Sequence, residues 1–317
     1  MSIFYLIAGI VLLVVGGEYL VKASVALSLK FRLSRIVIGM TVVSFATSLP
    51  ELLVSINAAI AGHPDLALSN VVGSNIANIA LVLGITAILT PIYIKKVSYK
   101  FNIPVMILMS ILVYWFLKND LVLSFAEGLI LFLLLIIFVY ALIKNSSLGG
   151  EIDLDELDEI DEDVEQSSIF RILLWLSFGG FALWAGSELL VKGAVELAKY
   201  LGVSERIIGV SIVAIGTSIP ELAASVISAL KKEKDLSLGN LIGSNIFNIG
   251  SVLGITAMIK PIHVTDLKLI NSDIIWMLLI AGILIPFALL PKRHKIGWWK
   301  GTAYVLIYLA YMYFVVS

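Results

Sequence analysis

Residue n of this sequence matches residue n+170 over a long ungapped stretch, and that repeat limits the possible folds more than any other feature. Between residues 39–91 and 209–261, 26 of the 53 aligned positions are identical. Upstream, Gly16, Glu18, Leu20, Val21 and Lys22 pair with Gly186, Glu188, Leu190, Val191 and Lys192. The chain thus reads as two homologous halves, 1–144 and 168–317, joined by the segment 145–167.

Each half is a series of apolar runs. With 60% hydrophobic and 14% charged residues and a mean hydropathy of +1.03, the composition is that of an integral membrane protein. A helix needs about 20 apolar residues to cross ~30 Å of hydrocarbon, and runs of that length recur throughout. A membrane barrel would instead show short alternating segments. The breaks predict spans near 2–29, 36–61, 66–91, 103–117 and 121–143, then 168–198, 207–230, 236–259, 273–290 and 301–316. The expected fold is an all-α membrane protein of ten transmembrane helices. The first run carries Glu18 and Lys22 with no basic leader or small-residue cleavage site, so it reads as a retained helix. The chain has no cysteine, which excludes disulfides, thiolate metal sites and cysteine nucleophiles.

Five spans per half is an odd number, so the second half must enter the membrane from the opposite side and the repeats are inverted. The basic residues test this independently. With the N-terminus outside, fifteen Lys and Arg fall on the cytoplasmic side and five outside, with Lys22 and Lys192 left within spans. The expectation is a multi-pass protein of the cell membrane with both termini outside. The linker GGEIDLDELDEIDEDVEQSS, cytoplasmic on this plan, carries ten acidic residues between Glu151 and Glu165. Like charges repel, so it reads as a solvated, extended connection. A weak cation-collecting role is the second reading, and it lacks the glycine-centred loop of an EF-hand.

Two polar clusters interrupt the apolar pattern, each present twice. In SFATSLPELLVS, Thr47 and Glu51 are four apart on one helical face, with Ser48 and Ser55 near the same stripe; Thr217, Ser218, Glu221 and Ser225 repeat them. Pro50 and Pro220 cannot donate a backbone hydrogen bond, so the carbonyls of Ala46 and Gly216 lose their helical partners and the helices open near the threonines. In hydrocarbon such a break must face protein or water. The next span in each half adds GSNIAN (73–78) and GSNIFN (243–248), where Ser74 and Asn78, and Ser244 and Asn248, are each four apart. Every one of these groups offers oxygen, which suits calcium, sodium or magnesium, whereas zinc, copper and iron ask for His or Cys. His63, His263 and His294 fall near loops and read as solvated bystanders. Buried carboxylates at equivalent points of broken helices in inverted repeats mark transporter sites, while bundle-stabilising protonated acids are the bland alternative. For the Ser and Asn pairs the alternative is helix packing. Glu18 with Lys22, and Glu188 with Lys192, read as intrahelical ion pairs.

The paired TSLPE and TSIPE motifs, each followed by GSNxxN, closely resemble the α-repeats of sodium/calcium exchangers in the cation/calcium antiporter superfamily, prokaryotic type, over nearly the whole chain. The resemblance implies Glu51 and Glu221 as central ligands shared between calcium and sodium. It also implies coordination by Thr47 and Thr217, with Ser48 and Ser218 beside them. Ser74, Asn78, Ser244 and Asn248 would complete outer sites, and the backbone carbonyls of Ser44 and Ala214 would add sodium ligands. Some members carry an aspartate at the place of Asn248 that is tied to potassium, so Asn248 argues for potassium independence. The GNxxE signature of proton/calcium antiporters is missing from both halves. The resemblance implies no cofactor beyond the transported ions, no nucleic acid and no obligate protein partner.

The reading that follows is an electrogenic Na+/Ca2+ antiporter. Proton-coupled calcium exchange stays the alternative, because a carboxylate can release calcium by taking a proton. A channel would present a ring of ligands around a continuous path, and a serine enzyme would need a base beside Ser48 or Ser218.

Overall fold

The computed structural model describes residues 1–144, 162–202, 214–290 and 294–316. Most of the acidic linker, and the residues leading into the second TSIPE motif, lie outside them. The long helices are α1 (Ser2–Phe31), α2 (Arg35–Thr47), α3 (Leu49–Ile60), α4 (Pro64–Leu89), α5 (Ser98–Asp120), α6 (Phe125–Lys144), α7 (Ile169–Tyr200), α8 (Ile219–Leu230), α9 (Lys234–Ile259), α10 (Leu269–Leu289) and α11 (Trp298–Val316). Seven of these are long and apolar enough to cross a membrane, and eight if α2 and α3 form one bent span. A count of ten crossings adds α8, with the described turn 214–218 before it and residues 203–213 outside the described residues, and α11. The protein is an all-helical membrane protein. Its helices lie within a few residues of the apolar pattern. The larger shifts are at the starts of α5, α6 and α10; in α5 and α10 the first turns, Ser98–Asn102 and Leu269–Asp273, are π-wound and carry polar residues that weaken a hydropathy reading.

Two compact units form. Unit 1 comprises residues 1–47, 141–240 and 316, and unit 2 residues 48–140, 241–315 and 317, so each draws on both sequence halves.

Unit 1 is organised by the crossing of α1 and α7. Glycines at seven-residue spacing let the two backbones meet: a Cβ on Gly9 would lie 2.8 Å from the Gly186 carbonyl, and one on Gly16 would lie 2.9 Å from that of Gly179. Gly193 closes the series against the Ser2 carbonyl. Early residues of α1 therefore meet late residues of α7, and these two repeat-equivalent helices run antiparallel, the direction an inverted repeat requires. Small residues are what permit close helix approach in lipid, where no hydrophobic force drives helices together. Leu13, Leu20, Val21, Leu183, Val43 and Leu236 form the adjoining apolar core. Gly39 and Gly239 make a second close crossing, of α2 with the start of α9.

Unit 2 is centred on α4 and the later part of α9, with Leu68, Ile76, Ile79, Leu83, Ile246, Ile249 and Leu253 fully buried. Gly84 against Gly301, and Gly128 against Gly254, again let backbones touch. Four two-residue strands tie its loops: β1 (Ile92–Tyr93) pairs antiparallel with β4 (Lys295–Ile296), and β2 (Val122–Leu123) with β3 (Ile262–His263).

The expected ion pairs within α1 and α7 do not form. Glu18 bonds Lys231 at 3.1 Å, and Lys22 lies over the Trp175 ring at 4.5 Å. Lys192 lies over the Tyr5 ring at 4.4 Å. An i, i+4 pair is worth only about 0.2–0.5 kcal/mol, so tertiary partners of similar strength displace it.

Gly16→Val forces a side chain into the α1–α7 crossing and is expected to cost about 1–3 kcal/mol, lowering the thermal unfolding midpoint in detergent. Gly282→Ala, in α10, meets nothing within 4 Å. It is expected to leave that midpoint unchanged or raise it, since glycine within a helix costs about 0.5–1 kcal/mol relative to alanine.

Candidate cation site

Both TS[LI]PE motifs break their helices in the same way. The path from α2 to α3 breaks at Ser48 with a bend of 44°. Ser48 has φ −86° and ψ 1°, and Ser218 has φ −90° and ψ 3°. That bridge region is sparsely populated and recurs at functional sites. Each serine thus enters a new helix with a proline at its second position, where the missing N–H costs nothing. Glu51 and Glu221 lie in the first turns of these helices, α3 and α8, where the helix dipole favours negative charge, and both are fully buried.

In unit 2, Glu51 starts a hydrogen-bonded chain. The Ser74 hydroxyl donates to Glu51 Oε1 at 3.3 Å and accepts from Asn248 Nδ2 at 3.2 Å. Asn248 Nδ2 also donates to Asn75 Oδ1 at 3.0 Å, and Asn78 Nδ2 donates to Asn245 Oδ1 at 3.1 Å. Asn75 and Asn245 close the arrangement by donating to each other's backbone carbonyls, 3.3 Å in each direction. Among the four asparagines the bonding is two-fold symmetric, each bond having a counterpart related by the n+170 repeat. Asn78 and Asn248 begin the π-wound stretches Ala77–Leu83 and Asn248–Leu253, at the second and first residue. Such bulges cluster at functional sites.

The clasp has a chemical consequence. It commits the amide nitrogens of Asn78 and Asn248 to protein acceptors and leaves their oxygens over. Glu51 Oε2, Asn78 Oδ1, Asn248 Oδ1 and Ser48 Oγ are buried without a hydrogen-bond partner among the described residues. Burying polar atoms without a partner costs several kcal/mol each in an apolar medium. The two amide oxygens can only accept, as does Glu51 when ionised, and a hard cation satisfies several acceptors at once. Ser244 is fully buried in the same unit.

In unit 1, Ser44 donates to the carbonyls of Gly39 and Asn240, at 2.8 and 3.0 Å. Thr47 Oγ1 donates to Asn240 Oδ1 at 3.3 Å and approaches the Ser44 carbonyl at 3.4 Å. Ser218 is buried and Thr217 half-buried, and Ala214 starts the short helical turn Ala214–Gly216. The Gly216 carbonyl freed by Pro220 is not bare: Ser187 donates to it at 2.8 Å.

The sequence reading named one asparagine of each GSNxxN motif and missed Asn75 and Asn245, which hold Asn78 and Asn248. It also missed Asn70 and Asn240. Asn70 donates to Ser55 Oγ and the Glu51 carbonyl, and Asn240 donates to Ser225 Oγ. All four are identical across the repeat, which was the available signal. His63, His263 and His294 are exposed, as expected for bystanders.

The family model for "Sodium/calcium exchanger protein" matches residues 1–144 and 171–317. The chain belongs to the sodium/calcium exchanger family. The sodium/calcium exchanger MaX1 of Methanosarcina acetivorans is 30% identical over 346 residues, covering 97% of this chain and 96% of its own. The inner membrane protein YrbG of Escherichia coli is 34% identical over 317 residues, covering 98% and 96%. A solved structure of the sodium-calcium exchanger NCX_Mj, soaked with zero Na+ and Ca2+, superposes with a TM-score of 0.82 at 32% identity, covering 98% of this chain and 97% of that one. The family expected from the repeat motifs is therefore correct, and so is the all-helical membrane fold.

The clasp predicts that Asn75→Ala and Asn245→Ala weaken Ca2+ binding about tenfold, the usual cost of removing a group that orients a metal ligand. Equilibrium 45Ca2+ binding checks this, with a retained cooperative thermal unfolding transition as evidence of an intact fold.

Proposed function

We propose that the protein is a secondary active antiporter that exchanges Na+ for Ca2+ by alternating access, electrogenic and independent of potassium. The observation that carries the reading is the surplus of buried oxygens without donors at Glu51, Asn78 and Asn248. Family membership and the relatives named as exchangers support calcium antiport. They also argue against an enzyme, since exchangers move ions without covalent chemistry.

Glu51 and Glu221 act as the central carboxylates. Together they carry a charge of about −2, which one Ca2+ or two Na+ neutralise, so the ions exclude each other. Thr47, Thr217, Ser48 and Ser218 coordinate beside them; Ser74, Ser244, Asn78 and Asn248 complete outer sites; and the Ser44 and Ala214 carbonyls serve sodium. Any Na+ beyond two per cycle moves net charge. Neutral Asn248 leaves no third acid for potassium. The ten helices form two inverted five-helix repeats, 1–144 and 168–317, joined by the cytoplasmic linker 145–167. Both termini face outside the cell membrane.

The test is 45Ca2+ flux in proteoliposomes with Na+, K+ and pH varied independently. Flux should follow the Na+ gradient, respond to membrane potential and ignore K+; flux that follows a pH gradient and ignores Na+ overturns sodium coupling. Glu51→Gln and Glu221→Gln should each lower exchange by about a hundredfold or more, since removing one partner of a buried charge pair costs about 3–5 kcal/mol. Full transport by either variant removes that residue from the site.

A further inference from the structure

Away from the clasp, unit 2 carries a cleft of about 410 Å3 between the end of α4 and the start of α11, lined by Ile88, Pro91, Lys295, Trp298, Trp299 and Lys300. From its chemistry we infer that it binds the headgroup of an anionic phospholipid.

The first argument is charge. The β1–β4 ladder, with Tyr93 opposite Lys295, and the bond from Ile94 N to the His294 carbonyl at 2.7 Å hold two loops side by side. One loop carries Lys96 and Lys100, both exposed, and the other runs from His294 through Lys295 to Lys300. No acidic residue occurs between Asp65 and Asp120, or anywhere after Asp273, so neither loop contains a counter-ion of its own. Lys300 is buried in the cleft wall, and its ammonium donates to the backbone carbonyls of Phe287 and Lys295, not to a carboxylate. Lys295 Nζ lies 5.5 Å from the Tyr93 ring centre. The cleft therefore presents positive charge that calls for an anion.

The second argument selects a lipid over a soluble anion. Trp298 is 69% exposed and Trp299 49%, and Ile88 and Leu89 beside them are also exposed. Leu306 and Leu309 continue an exposed apolar surface along α11. Exposed tryptophans next to lysines at the end of a spanning helix mark the level of the headgroups, and basic pockets at that level take anionic heads. A phosphate would meet Lys295 while its acyl chains follow the apolar face of α11. On the basic-residue asymmetry this end of the helices is cytoplasmic, the leaflet where anionic lipid gathers.

Native mass spectrometry of the full-length protein in neutral detergent tests the inference, with phosphatidylglycerol against phosphatidylcholine. The wild type should retain phosphatidylglycerol in preference. Lys295→Gln should weaken that retention about fivefold, as expected for one lysine near a charged headgroup. K295Q combined with W298A should abolish the preference, whereas K118Q, at the opposite end of α5 from Lys100, should not. Equal retention of the two lipids by the wild type, or displacement of phosphatidylglycerol by millimolar inorganic phosphate, overturns the lipid assignment. Photocrosslinkable phosphatidylglycerol on the wild type keeps the test independent of variant folding: label in residues 88–96 and 294–300 supports the site, and label confined elsewhere overturns it.

Discussion

In unit 2, acceptor oxygens outnumber donors where the start of α3 and the GSNxxN segments are buried, and the bonding around them depends on that imbalance. A membrane interior has no water to balance such an excess, so each group must find a donor or a cation. Pro50 removes a backbone N–H, and Glu51 Oε2 adds a buried acceptor without a donor. The asparagine clasp then uses up the amide hydrogens of Asn78 and Asn248 on protein partners. An asparagine carries both donors and an acceptor, so once protein partners take its N–H groups only its oxygen is left to bond.

The same clasp explains why the repeats are so alike in this region. Asn75 and Asn245 bond each other's backbone, so a change in either disturbs both, and the identical residues of the two motifs form one bonded unit. Around it the fold relies on glycine. Close backbone crossings at Gly84 with Gly301, and at Gly128 with Gly254, substitute for a hydrophobic driving force that lipid does not provide.

Much of this was legible in the sequence. Helix positions followed from run length, and the family from motifs whose prolines, serines and glutamates recur at one offset. The breaks fell where Pro50 and Pro220 dictated. The errors shared one cause. Glu18 and Lys22 looked paired because they are four apart, yet Lys231 and Trp175 approach from elsewhere in the chain. The Gly216 carbonyl looked bare because proline frees it, yet Ser187, 29 positions upstream, donates to it. Asn75 and Asn245 went unnamed because their partners lie 170 residues away.

By itself the sequence determined that the chain spans a membrane in homologous halves, and which oxygen-bearing residues break its helices, because span length, proline geometry and repeat identity are local properties. Only the tertiary structure decided which of those oxygens are left without a donor. Hydrogen bonds are shared out among residues distant in sequence and close in space, so a residue type can say that an atom is able to accept a bond, but only packing says whether a donor has already reached it.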